Sequence, residues 1–114
     1  MLNQKQISEI SGLVSKNLSS IFGNKLLGIV LFGSYARNDF SKESDIDYFI
    51  ILDLTRDEIR KYRKKVSKLS SDIGLEYNLF VSTSLQSKSE FDFYKNDLPF
   101  FQNVLKDGVD INVS

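Results

Sequence analysis

The chain contains no cysteine and no histidine. Disulfides, thiolate zinc sites, cysteine nucleophiles and imidazole bases are therefore excluded. Any metal has to be held by oxygen, which points to Mg²⁺, Mn²⁺ or Ca²⁺. Net charge is missing too, since 15 Lys and Arg balance 15 Asp and Glu. Without it there is no global pull toward anionic partners, so neither direct nucleic-acid binding nor membrane attachment is expected. No apolar run approaches the roughly 18 residues of a membrane span. The opening Met1-Leu2-Asn3-Gln4-Lys5-Gln6 has neither the basic start nor the apolar stretch of a secretory signal. A cytoplasmic location is the expectation.

What is present is ordinary for a globular domain, with 41% apolar and 26% charged residues in a chain of 114. That length leaves room for one domain over residues 1–114. A chain this short buries roughly 65% of its unfolded surface, enough for one modest core.

Ile7, Ile10, Val14, Leu18 and Ile21 recur at helical spacing and predict an amphipathic helix over 4–21, ended by Gly23-Asn24. Leu26 to Phe32 reads as a short buried strand, and Asp45 to Leu52 as a second. Between them Ser34 is placed to cap a turn of helix, with a loop from Asn38 to Ser44. Thr55 and Glu58 form a capping box for a helix whose stripe is Ile59, Tyr62, Val66, Leu69 and Ile73, stopped by Gly74. Leu75 to Val81 alternates as a third strand, followed by a helix over Ser84 to Tyr94. Asp97 and Pro99 open a last helix through Leu105, Gly108 closes it, and Val109 to Val113 forms a final strand. The order implies an α+β (α/β) sandwich, a small mixed sheet with helices packed on one face.

One stretch carries chemistry. Gly33-Ser34 and Asp45-x-Asp47 are separated by ten residues, between the first two strands. Residues two apart on a strand point the same way, about 6.5–7 Å apart along it. Asp45 and Asp47 can therefore converge on metals held about 3.5–4 Å apart, as two-metal phosphoryl chemistry requires. Gly33 lets the chain turn sharply and lets a phosphate approach the backbone. Ser34 adds a hydroxyl and a helix N-terminus that favours anions. Arg37, one turn on, is placed to reach a phosphate or to tie down a carboxylate. The bland alternative is a surface loop with a capped helix. A P-loop is ruled out because no Gly-Lys-Ser/Thr follows, and an EF-hand because the calcium-loop glycine is missing.

Gly33-Ser-x10-Asp45-x-Asp47 resembles the signature of the DNA polymerase β-like nucleotidyltransferase superfamily. The longer runs Leu31 to Phe40 and Glu43 to Tyr48, with Leu98 to Val109, resemble its minimal single-domain branch (MNT). Members of that branch are typically antitoxins paired with a HEPN ribonuclease toxin. The resemblance implies that Gly33 and Ser34 grip the triphosphate of ATP and that Asp45 and Asp47 carry two Mg²⁺ ions. It also implies transfer of AMP onto a tyrosine of the HEPN toxin, which silences it.

Two departures from the family pattern matter. Arg37-Asn38-Asp39 stands where Arg-Gly-Asp is usual, and Asn tolerates a left-handed turn. Family members also carry a third acidic residue on the next strand. With that strand at Leu75 to Val81, the matching position is Asn78, which cannot accept a proton. Glu76, two residues earlier on the same expected face, is the candidate substitute, against a plain exposed carboxylate. Losing a general base costs about 10²- to 10⁴-fold in rate. Three functions therefore compete: an active protein adenylyltransferase antitoxin, a weakened or inactive antitoxin that acts by binding, and an aminoglycoside-type small-molecule adenylyltransferase.

Two surface features stay open. Arg56, Arg60, Lys61, Arg63, Lys64, Lys65 and Lys68 crowd one helix against Asp57 and Glu58, either as a solvated face or as a docking face. Phe91, Phe93, Tyr94, Phe100 and Phe101 are either core or a partner-facing patch.

Overall fold

Helix α1 (Gln4–Phe22) begins at Asn3, whose side chain accepts from the Gln6 amide while the Gln6 side chain returns to the Asn3 amide. This closes a capping box at the first free donors of the helix. The computed structural model describes residues 3–33 and 45–111. Ile7, Ile10, Val14, Leu18 and Phe22 form the buried stripe of α1, and Gly23 ends it at φ +56°. A single 3-10 turn over Gly23–Lys25 then feeds strand β1 (Leu26–Phe32).

Strand β2 (Ile46–Leu52) is followed by α2 (Arg56–Arg60) and α3 (Arg63–Tyr77). Strand β3 (Val81–Ser87), helices α4 (Lys88–Tyr94) and α5 (Pro99–Asp107), and strand β4 (Val109–Ile111) complete the order. Thr55 and Glu58 form the expected capping box, at 3.1 and 3.2 Å. The chain turns at Lys61–Tyr62, so the one long helix read from the stripe is two consecutive helices. Pro99 takes the first helical position of α5 and Gly108 its C-cap.

The sheet order is β3-β2-β1-β4. β1 runs antiparallel to β2 and β4, and β2 runs parallel to β3, which makes the sheet mixed. Ile46, Tyr48, Ile50 and Leu52 of β2 join Ile29 and Leu31 of β1 on one face, packed against α1, Ile59 of α2, and Val66 and Ile73 of α3. Each such side chain contributes roughly 1.5–3 kcal/mol on burial. Ser11 of α1 and Tyr48 share a buried 2.7 Å hydroxyl bond that fixes the helix on the sheet.

The long helices thus occupy one face, as expected. The two short C-terminal helices add cover on the other, where Phe91, Phe101 and Val104 pack on Phe49, Val30, Phe32 and Ile51. Phe93 and Tyr94 remain exposed with their rings stacked edge-on, so the aromatic cluster divides between core and surface.

The third strand is displaced from its expected place. Gly74 does not stop α3; the helix runs on to Tyr77, and Asn78 caps it in the left-handed conformation (φ 57°, ψ 50°). Gly74 serves the chain reversal instead. A Cβ there would lie 2.5 Å from the Leu79 carbonyl, and the Leu79 amide donates to the Gly74 carbonyl at 2.9 Å. β3 then takes up Ser84 to Ser87, which had read as the start of a helix. Its register is held by the ladder to β2 and by Thr83, bonded to Ser70 of α3 at 3.0 Å.

Candidate active site

The end of β1 and the starts of β2 and β3 meet at one end of the sheet. In register, Phe32 lies opposite Asp47 on one side and Ser82 lies beside it on the other. Ile46 and Tyr48 point into the α1–α3 core, so strand alternation turns Asp45 and Asp47 to the opposite face.

Gly33 follows β1 directly, at φ +78°. A Cβ built on it would stand 2.7 Å from Asp47 Oδ2. The carboxylate therefore rests against the bare Cα of Gly33, and only glycine permits both the backbone angle and the approach. Asp47 is half-buried and Asp45 exposed. The Asp47 carboxyl is held above the ordinary carboxylate range, first by burial and then by the negative charge of Asp45. A cation bound to the pair would reverse both effects. Close, like-charged oxygen donors with no nitrogen or sulfur suit a hard divalent ion such as Mg²⁺. Among the described residues no group of three or more acidic side chains is placed to hold a metal ion.

Of the residues expected at this site, the structure brings together Gly33, Asp45 and Asp47. Ser34 and Arg37 lie outside the described residues. Glu76 and Asn78 are not on a strand, contrary to expectation. Glu76 is exposed in the last turn of α3 and Asn78 is the cap of that helix, which packs on the sheet face opposite Asp47. The period-2 reading of 75–81 failed because Tyr77 continues the helical stripe four residues after Ile73, and Asn78 supplies the left-handed residue that ends it.

The residues that flank the carboxylates on β3 escaped the sequence reading. The Ile46 amide donates to the Phe80 carbonyl at 3.1 Å, which starts the parallel ladder and sets Phe80 beside Asp45. Ser82, Ser84 and Gln86 follow on the same face. The polar side chains that β3 adds to this face are hydroxyls and an amide; β3 carries no carboxylate. Its serine-rich sequence hid it, because strands are usually recognised by apolar alternation.

The basic helix face lies apart from this site. Arg56 pairs with Glu90, Arg60 with Asp57 and Lys68 with Asp72. Among the described residues, no carboxylate lies within ion-pair distance of Lys61, Arg63, Lys64 or Lys65, all of them exposed.

A family model described as the nucleotidyltransferase domain matches residues 13–103. A protein of Methanocaldococcus jannaschii, provisionally named a protein adenylyltransferase, is 34% identical over 84 residues, covering 74% of this chain and 83% of that protein. A second from the same organism, provisionally given the same name, is 34% identical over 91 residues, covering 80% and 83%. Among solved structures, a chain from a toxin–antitoxin with AMP-PNP has a similar fold, with a TM-score of 0.59 at 20% identity over 91% of this chain and 73% of that one. A mutant of the toxin–antitoxin MntA-HpeT is similar at a TM-score of 0.57 and 18% identity, over 99% and 75%.

Proposed function

Because this chain belongs to the nucleotidyltransferase domain family, we propose that it is a minimal nucleotidyltransferase antitoxin, which transfers AMP from ATP to a tyrosine of a HEPN ribonuclease toxin and so neutralises it. One observation carries the reading: the Asp47 carboxylate rests on the bare Cα of Gly33, electrostatically coupled to Asp45. The names of the M. jannaschii relatives support protein as the acceptor class. The toxin–antitoxin neighbours, one with AMP-PNP, support an adenine nucleotide and a toxin partner.

Asp45 and Asp47 would hold Mg²⁺. When bound, the ion neutralises triphosphate charge and favours attack at phosphorus. Gly33, without a side chain, leaves its backbone open to a phosphate, and Ser34 and Arg37 are the further candidates to bind it. In the transfer a tyrosine oxygen bonds to the α-phosphorus, the bond to pyrophosphate breaks, and the phenolic proton passes to solvent. The acceptor has to bind on the Asp47 face, since α1 and α3 close the other.

The test is incubation of the chain with α-labelled ATP, Mg²⁺ and a candidate HEPN toxin. Label on the toxin that disappears with Asp47→Ala supports transfer. No label on a toxin that is nonetheless neutralised refutes it.

A second reading, neutralisation by binding alone, is favoured by one specific observation. β3 places Ser82 beside Asp47 and supplies no third carboxylate. The same experiment separates the two readings.

A further inference from the structure

Phe80 is 77% exposed, one of the most exposed large apolar side chains among the described residues. It is not a loose loop residue. Its carbonyl is pinned by the Ile46 amide at 3.1 Å, and both neighbours, Leu79 and Val81, pack against the core. The parallel register continues one step back from Ile46 and Val81, so Phe80 stands beside Asp45 on the face that carries Asp47. Adjacent strands are about 4.8 Å apart. A rigidly based, water-exposed ring therefore belongs to the residue one strand spacing from Asp45 and next but one to Ser82, the partner of Asp47.

We propose that Phe80 is a stacking platform for the base of the nucleotide bound at Asp45 and Asp47, a role that rests on the nucleotidyltransferase reading. Of the two reactants, the nucleotide is the one whose phosphates the carboxylates would fix, so its ring is delivered to a set place beside them. Stacking also suits a position where hydrogen-bond readout is scarce. The hydroxyls of Ser82 and Ser84 lie further along β3, and an aromatic face accepts a base without demanding a particular edge.

The test is calorimetric titration with Mg²⁺-ATP and, separately, with Mg²⁺-tripolyphosphate, which has the phosphates and no base. Phe80→Ala should weaken ATP binding about tenfold or more and leave tripolyphosphate unchanged. Phe80→Leu, which keeps apolar bulk without a π face, should behave like the alanine variant. Phe80→Trp should bind ATP at least as well as the wild type. Because the side chain is exposed, these variants should melt within a degree or two of the wild type.

Equal ATP affinity in Phe80→Ala, with loss of binding in Asp47→Ala, overturns the platform and leaves the nucleotidyltransferase reading standing. Equal ATP affinity with a raised KM for the protein acceptor also overturns it, by assigning the ring to the acceptor. A wild-type chain that binds neither ligand overturns both readings.

Discussion

Replacing Gly33 with alanine tests the site where sequence, strain and chemistry coincide. Two penalties are separable. An L-residue at φ +78° costs about 1–2 kcal/mol in any surroundings. The new Cβ would also stand 2.7 Å from Asp47 Oδ2, which is 0.7 Å inside the 3.4 Å at which ordinary contact begins. Asp47 Cγ and Cβ, at 3.6 and 3.7 Å, already lie at ordinary distance, so only the carboxylate has to move. The expected total is about 1–3 kcal/mol, or a melting point lower by roughly 4–12 °C in a domain of this size. A carboxylate displaced by most of an ångström should also reduce nucleotidyl transfer about 10²-fold. The assay is a double-mutant cycle read by thermal melting, with Asp47→Ala as the second change. In that background the oxygen is gone, and Gly33→Ala should cost only the backbone strain. Equal cost in both backgrounds would show that Gly33 and Asp47 do not touch, and the geometric basis of the site would fall.

Asp47 sits above its ordinary value of 3.8 in the folded chain, through burial and then Asp45. The folded state therefore holds this proton to higher pH than the unfolded chain, and stability falls as pH rises from about 3.8 through the folded value. Asp47→Asn should melt higher than the wild type at pH 7, with the gap closing below pH 4; a lower melting point at pH 7 would contradict this. Ser82→Asp places a carboxylate in register beside Asp47 and should raise transfer about tenfold or more, whereas Asn78→Asp, at the end of α3, should leave transfer unchanged. A gain in Asn78→Asp without one in Ser82→Asp would reverse that assignment. Ser11→Ala strands the Tyr48 hydroxyl, which is buried and pushed up to about 12 by that burial, at a cost of about 1–3 kcal/mol in urea unfolding. Tyr48→Phe should cost less, because Ser11 can turn to a carbonyl of its own helix; the opposite ranking would refute the reading.

The parts of the fold legible in the sequence are those whose local signal and tertiary role agree. Thr55 caps where its side chain says it should, and β1 falls on its apolar run, Leu26–Phe32. The error at 75–81 arose where two periods compete. Leu75, Tyr77, Leu79 and Val81 alternate like a strand, yet Tyr77 also completes the spacing set by Val66 and Ile73. Helix propagation from an existing α3 needs no new nucleus, so the helical period won until Asn78 adopted the left-handed turn. β3 could not be seen because its strand character lies in the ladder to β2 and in the Ser70–Thr83 bond, both long-range. The candidate site was half legible for the same reason. Gly33, Asp45 and Asp47 lie close in sequence, but their neighbours Phe80 and Ser82 arrive through a register that no local pattern encodes.

That corrected register changes what the missing third carboxylate means. Asn78 suggested a single neutral replacement on an otherwise intact strand. The true neighbours of the pair are a hydroxyl at Ser82 and a ring at Phe80, so this edge of the site is short of negative charge and rich in contact surface. Two carboxylates still suffice to hold one hard cation, and Gly33 keeps Asp47 clear for it at the cost of a positive φ. A surface used only for docking has no need of a carboxylate destabilised by burial and by a like-charged neighbour, because a neutral side chain would fill the same volume more stably. That carboxylate, set against Gly33 beside Asp45, fits the cation site of the proposed function. Rate, in contrast, is set by whatever group accepts the acceptor's proton, and β3 offers none. On the proposed reading, slow transfer is the behaviour this combination of residues should produce.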